Sequence, residues 1–472
     1  MIDQQPSMAK APSAFINEAA IEEILSGGPV RDAARLREVL AKALELKGLD
    51  FGDVAALMAI SDPALLAELF TTARKVKEAI YGRRLVLFAP LYISNLCSNE
   101  CLYCAFRARN KEVKRRALTQ EEIAHEVKLL VEQGHKRVLL VAGESYPKEG
   151  FSYVLKSIET IYSVKSGRGE IRRVNANVAP LTLDEFRQLK AARIGTYQVF
   201  QETYHRQTYS QMHTGGKKKD YDWRVTAMHR AMEGGINDVG IGVLFGLADW
   251  RFEILAMMQH IAALEEKFGV GPHTISVPRL EPASGSDIAS HPPHAVSDTD
   301  FRRIVAILRL AVPYTGIIMS TRETANIRRE TFALGVSQIS GGSRTSPGGY
   351  AKGKDLTENA QFAVGDHRSL DEVVRDVASL GYTPSFCTAC YRLGRTGKDF
   401  MDLAKPGEIK CHCDPNALST FLEYLIDYAS PETRKVGEER IVKALAAMEA
   451  KPRAIADKHL ARVREGKRDV FC

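Results

Sequence analysis

No run of apolar residues in this 472-residue chain approaches the roughly 20 that a membrane-spanning helix requires. The longest, such as Val138-Leu139-Leu140-Val141-Ala142, are the length of a strand. The N-terminus has no basic segment followed by an apolar one, so no secretory signal is read there. Charge of one sign is also scarce: 65 Lys and Arg against 58 Asp and Glu leave +7, thin for a nucleic-acid surface on a chain this long. Cysteine is too sparse for a disulfide framework, with eight residues, seven of them in two groups. Together these absences leave an expected cytoplasmic protein with no membrane and no nucleic-acid partner, whose cysteines bind metal in a reducing compartment.

Hydrophobic residues make up 45% of the chain, enough for a large core. Residues 1–82 carry helical periodicity, as in Leu65-Leu66-Ala67-Glu68-Leu69-Phe70, and are expected to form a helical extension packed on the outside of the rest of the chain. From residue 83 to 345, short β-rich runs alternate with helical patterns. The expected strands are 84–93, 137–142, 171–178, 195–203, 238–247, 273–281, 315–321 and 336–341. Thr119 with Glu122, and Thr182 with Glu185, have capping-box spacing at the starts of intervening helices. Eight alternations predict an α/β protein built as a (β/α)8 barrel, with its chemistry at the C-terminal ends of the strands. Residues 346–366, rich in Gly, Ser and Lys, are expected to link this barrel to a mainly helical unit over 346–472, where Ser369 and Glu372 again have capping-box spacing.

Cys97, Cys101 and Cys104 stand on the loop after the first strand in C-x3-C-x2-C spacing. Three thiolates can hold three corners of a [4Fe–4S] cube and leave the fourth iron open. Structural zinc wants four ligands, and no further Cys or His lies between Cys104 and His125. The stretch resembles the signature of radical S-adenosylmethionine (SAM) enzymes. That resemblance implies a [4Fe–4S] cluster whose open iron is chelated by SAM, with Tyr103 packed over it.

Other candidates sit at strand ends. Gly143-Glu144 after the second strand resembles the family's glycine-glutamate contact to the SAM amino group, the alternative being a plain turn. Glu202 and Tyr204, at the end of the fourth strand, are candidate cofactor contacts, with Glu202 facing the ribose hydroxyls. Arg224 is a candidate partner for the SAM carboxylate, or else a solvated helix residue. The stretch His213 to Lys219 lacks phosphate-loop order and is expected to be an exposed loop. Ser320 and Arg322, ending the seventh strand, are candidates to anchor a substrate carboxylate, with an Arg322–Glu323 ion pair as the alternative. The Ser340-Gly341-Gly342-Ser343 turn could complete that anion pocket through its N–H groups. His273, opening the sixth strand, reads by itself as a core histidine.

The second group is Cys387-x2-Cys390 and, 22 residues on, Cys413, with Cys411 just before it. Spacing alone also admits a zinc ribbon. A barrel followed by C-x2-C-x22-C resembles the radical SAM tyrosine lyases that mature [FeFe]-hydrogenase, and the resemblance covers the chain from about residue 84. It implies that Cys387, Cys390 and Cys413 hold a second [4Fe–4S] cluster. It makes His273 the protein ligand to an additional iron, bound to that cluster through a cysteine molecule. It further implies L-tyrosine, SAM and free cysteine as small-molecule partners, an electron donor such as a ferredoxin or flavodoxin, and hydrogenase-assembly proteins. The implied reaction breaks tyrosine into p-cresol and dehydroglycine and turns the latter into carbon monoxide and cyanide. Thiazole-forming tyrosine lyases lack the second cysteine set. Cys411 would then be spare, and Cys472 a solvent-exposed thiol.

Overall fold

The computed structural model describes residues 13–28, 32–353, 359–406 and 408–472. Eight parallel strands form its centre: β1 (Arg84–Ser94), β2 (Arg137–Ala142), β3 (Arg173–Asn177), β4 (Tyr197–Gln198), β5 (Val239–Gly242), β6 (Thr274–Ser276), β7 (Gly316–Met319) and β8 (Val336–Ser340). They neighbour one another in chain order, and β8 pairs back onto β1 through Val86↔Gln338 and Phe88↔Ser340, closing a (β/α)8 barrel. Each lies within or at the edge of a predicted run, because β-branched and leucine-rich segments only four to eight residues long suit strands buried on both faces.

Helices alternate with the strands and cover the outside. The two capping boxes at Thr119/Glu122 and Thr182/Glu185 both form, each satisfying N–H groups that a helix start leaves unpaired. The N-terminal segment is helical, with helices Glu18–Ser26, Ala33–Ala43, Phe51–Met58 and Pro63–Tyr81 capped by Asn17, Asp32, Asp50 and Asp62. The last of these packs on the outer helices Asp298–Ala311 and Ala325–Leu334. No helix among the described residues is long and apolar enough to cross a membrane.

The chain beyond residue 346 does not leave the barrel. A ninth strand, β9 (Thr383–Ser385), adds in parallel beside the first residues of β1, Arg84↔Thr383 through Val86↔Ser385. Cys387 lies two residues further on, and helix Lys410–Asp427 packs on β9. The cysteines of the C-terminal region are therefore carried to the N-terminal end of the barrel, opposite the loop that bears Cys97.

Inside, side chains two residues apart point the same way, as strand geometry requires. These inward rows run from one cavity to another: Val86, Gly316 and Gln338 line a cavity at the N-terminal end, while Phe88, Ile318 and Ser340, each two residues further along, line one at the C-terminal end. Successive inward positions of the same strands thus border the two cavities.

Candidate active site

The C-terminal cavity spans about 1270 Å³ including its opening to solvent and is bordered by Cys97, Cys101 and Cys104. Burial pushes all three thiols upward, Cys104 to about 11, so these groups become thiolates only where a bound cation compensates the lost hydration. Such a donor set, apolar around and open toward the cavity, fits an iron–sulfur cluster.

The loop is clamped by a second segment. Cys101 and Glu100 pair antiparallel with His213 and Gly215, and the Leu102 N–H donates to the Met212 carbonyl at 3.0 Å. The expectation of an exposed loop here holds for Thr214, Gly216, Lys217 and Lys219 but fails for His213 and Lys218: His213 is 1% exposed and lies 2.8 Å from the Tyr103 hydroxyl. Its other ring nitrogen lies 2.8 Å from the Tyr209 carbonyl, so that nitrogen carries the proton and the Tyr103 hydroxyl donates. Gly216 adopts φ +77, and a side chain there would run into Asn99 and Ser98 of the cysteine loop. Lys218 is buried in the same turn, where its N–H donates to Asn99 Oδ1 and its ammonium pairs with Glu202 at 2.7 Å.

Gly143 answers a similar need. A Cβ there would collide with the Leu96 carbonyl oxygen, so the cysteine loop can close over the end of β2 only above a glycine. Glu144 then enters the cavity, accepts from Asn99 Nδ2 at 2.8 Å and pairs with Arg224 at 2.8 Å. Arg224 is no solvated residue: it is 4% exposed, donates to the Phe200 carbonyl and reaches Glu202 at 3.5 Å. Burial alone would raise the Glu144 carboxyl, yet Arg224 and Lys218 hold it below the usual carboxylate range. Glu202 itself has φ +72, a strained conformation for a residue with a side chain, and lies in the cavity wall.

Tyr204 is placed elsewhere. Its ring is fully buried, its hydroxyl meets His260 at 2.8 Å and its N–H donates to Glu253, so it belongs to the outer core rather than the cavity. Only two positions along the chain separate it from Glu202, but the strained turn sends their side chains apart.

Across the cavity, Ser320 and Arg322 line the wall. The alternative pairing of Arg322 with Glu323 does not occur, because Glu323 is engaged by Arg279. Among the described residues Arg322 has no carboxylate within ion-pair distance; its guanidinium lies over the Phe362 ring at 3.2 Å from the centroid. The Gly341–Gly342 turn does not complete this pocket, since the Gly341 N–H donates to the Phe88 carbonyl and the turn packs against Leu370. Instead Gln361 and Phe362 enter from the 346–366 connection, with the Gln361 amide 3.8 Å from the Cys104 sulfur.

The opposite cavity, about 630 Å³, is bordered by Cys387, Cys390, Cys413 and His273. His273 packs its ring 4.6 Å from Phe400, and its Nδ1 has no hydrogen-bond partner among the described residues. Burial keeps the imidazole neutral, and Asp238 at 3.7 Å only partly offsets that. Neutral imidazole is the form that ligates metal. Cys411 is exposed. Cys472 is not the solvent-exposed thiol expected: its backbone carbonyl accepts from Arg395 and Asn416, which tucks its side chain to half-buried beside helix Lys410–Asp427.

Sequence reasoning missed Asn99, Lys218 and Gln361. Within Lys217-Lys218-Lys219 nothing local distinguishes the buried lysine, and Gln361 lies more than 250 residues from the sulfur it meets.

A closed eight-stranded barrel with three cysteines at the mouth and a buried acid–base network beside them defines a radical SAM enzyme, and residues 91–258 match the Radical SAM superfamily. Residues 276–383 match the Biotin and Thiamin Synthesis associated domain. Radical SAM membership implies a [4Fe–4S] cluster with SAM, which Cys97, Cys101 and Cys104 are placed to hold. A crystal structure of HydG, a maturase of the [FeFe]-hydrogenase, superposes with a TM-score of 0.93 at 48% identity, covering 97% of this chain and 100% of that one. HydG from Carboxydothermus hydrogenoformans gives 0.83 at 42% identity, over 96% and 100%. The 2-iminoacetate synthase of Escherichia coli K12 is 30% identical over 358 residues, 76% of this chain and 92% of that protein. The chain belongs to the HydG family of [FeFe]-hydrogenase maturases.

Proposed function

We propose that this radical SAM maturase cleaves the Cα–Cβ bond of L-tyrosine to p-cresol and dehydroglycine, and that dehydroglycine is converted to carbon monoxide and cyanide at the other end of the barrel for assembly of the hydrogenase cofactor. The observation that carries this reading is the pair of cysteine-lined cavities at opposite ends of one barrel, bordered by successive inward residues of the same strands. When bound, the cluster with SAM supplies the 5′-deoxyadenosyl radical that takes a hydrogen from the tyrosine amino group.

The chain's own residues do the rest. Arg322, without a carboxylate of its own, and Ser320 hold the tyrosine carboxylate. Glu144, Arg224, Glu202 and Lys218 form a preset charge network that receives the SAM amino acid and ribose groups. Tyr103, fixed by His213, covers the cluster side. Barrel walls exclude water from a reactive radical and from the fragment it releases. Arg173 and Asn175, bonded to each other at 3.0 Å, and Asn177 in the upper cavity wall form a polar inward row along β3 for a small polar fragment.

At the N-terminal end of the barrel, Cys387, Cys390 and Cys413 would hold a second [4Fe–4S] cluster, and His273 would hold an additional iron recruited with a free cysteine molecule. The site in that cavity fits on its donor set, three half-buried cysteines and a neutral histidine whose Nδ1 has no hydrogen-bond partner among the described residues. A ferredoxin- or flavodoxin-type donor supplies the electron.

The test is anaerobic turnover of reconstituted protein with SAM, L-tyrosine and reductant. p-Cresol and 5′-deoxyadenosine should appear by chromatography, and carbon monoxide should be trapped by a haem protein. Cresol without carbon monoxide or cyanide would point to the thiazole-type reaction, in which dehydroglycine is the final product. 5′-Deoxyadenosine absent altogether would leave only an iron–sulfur scaffold or zinc-ribbon protein.

A further inference from the structure

Beside the second cysteine set, at the N-terminal ends of β1 and β9, lies a separate cleft of about 540 Å³. Three charged side chains in its lining make no ion pair among the described residues. Arg84, 6% exposed, gives one N–H to the Tyr81 carbonyl at 3.0 Å and has no carboxylate within ion-pair distance. Arg440, on helix Pro431–Ala446, makes only a 3.3 Å bond to the Thr383 hydroxyl. Asp414, half-buried and immediately after Cys413, has among the described residues neither a hydrogen bond nor an ion pair to its side chain. Charges of both signs thus border one space without meeting each other.

Arg84 is buried while Arg440 and Asp414 are half-buried, and a purely anionic occupant would satisfy only the arginines, a purely cationic one only Asp414. A zwitterion satisfies both. Besides Thr383 and Arg83, which pairs with Glu78, the remaining wall is apolar, with Ala417, Leu418 and Met448 offering contact for a side chain.

We propose that this cleft binds a free zwitterionic α-amino acid, with its carboxylate on Arg84 and Arg440, its ammonium on Asp414 and its side chain against Ala417, Leu418 and Met448. Arg84 also lines the cavity of Cys387, Cys390 and Cys413, so the cleft and that cavity are neighbours across one side chain. The binding stands on the geometry alone; its role in delivering free cysteine rests on the proposed function.

Equilibrium dialysis of radiolabelled L-alanine against anaerobically purified full-length protein tests it. Alanine has no thiol to bind iron. One saturable site is expected in the wild type and equally in the Cys387→Ala/Cys390→Ala variant. Arg440→Met, on the outermost helix, should weaken it roughly ten-fold or more, the worth of a charged hydrogen bond. Asp414→Asn should do the same, and should let acetate compete as well as alanine does. Absence of saturable binding, binding indifferent to both Arg440→Met and Asp414→Asn, or binding lost only with the cysteines would overturn the assignment. p-Cresol formation in the same preparations reads the lyase reaction separately. A protein that binds alanine through Arg440 but makes no cresol supports the cleft and sinks the lyase reading.

Discussion

Glu144 and Arg224, eighty residues apart in the chain, meet at 2.8 Å across the barrel mouth, and the same guanidinium reaches Glu202 at 3.5 Å. Each acid comes from the end of a different strand, and the arginine arrives on the short helix Tyr221–Val225. One buried cation thereby holds two half-buried carboxylates in place beside the cysteines.

Removing that cation leaves two acids with incomplete pairing in a low-dielectric site. Arg224→Met should cost about 3–5 kcal/mol of stability, the usual penalty for orphaning a buried partner. The shift should show in chemical unfolding, and SAM binding, followed by its effect on the cluster's electron paramagnetic resonance signal, should be lost. A variant of unchanged stability that still binds SAM would contradict the network.

Arg322 is expected to act on tyrosine and not on SAM. Arg322→Ala should raise the KM for tyrosine roughly ten- to a hundred-fold, since a hydrogen bond to a charged group is worth about 1.5–3 kcal/mol. SAM affinity should stay as in the wild type. Unaltered tyrosine dependence of p-cresol formation would remove Arg322 from its role.

His273 separates the two ends of the barrel. In His273→Ala, p-cresol formation should continue while iron analysis finds less metal and carbon monoxide output falls. Iron content equal to the wild type would return His273 to a packing role against Phe400.

Glu253 gives the fold a pH signature. It is buried beneath the strained turn that carries Glu202, where it accepts the Tyr204 N–H at 2.9 Å and meets the Thr203 hydroxyl. Burial raises its carboxyl from 4.5 to about 8, more than those hydrogen bonds lower it. The folded state therefore keeps a proton that the unfolded chain gives up. Glu253's stabilising contribution is complete below pH 4.5 and is lost as pH rises to about 8, by about 1.4 kcal/mol per pH unit. Glu253→Gln should flatten this part of the stability profile in urea titrations between about pH 5 and 8. An unchanged slope would mean that Glu253 does not hold the proton.

Much of this molecule was legible in its sequence. The barrel strands announce themselves as short apolar runs between capped helices, and the cysteine spacings are local patterns that survive any packing. The capping boxes are equally local, needing only residues three apart. Orientation was harder to read. Arg224 could be solvated or buried, and Tyr204 looked as eligible as Glu202, until the turn at φ +72 sent their side chains to opposite sides.

Which chemistry the cysteines could support, and that an α/β barrel would present it at strand ends, the order of residues determined by itself, because short-range periodicity and ligand spacing are properties of neighbouring positions. Tertiary structure alone decided that Lys218 is buried and its neighbours are not, that Glu323 belongs to Arg279 and leaves Arg322 free, and that β9 carries Cys387 to the far end of the barrel. Those outcomes depend on partners brought together over tens to hundreds of residues, where burial makes one charge pairing far stronger than its exposed alternatives.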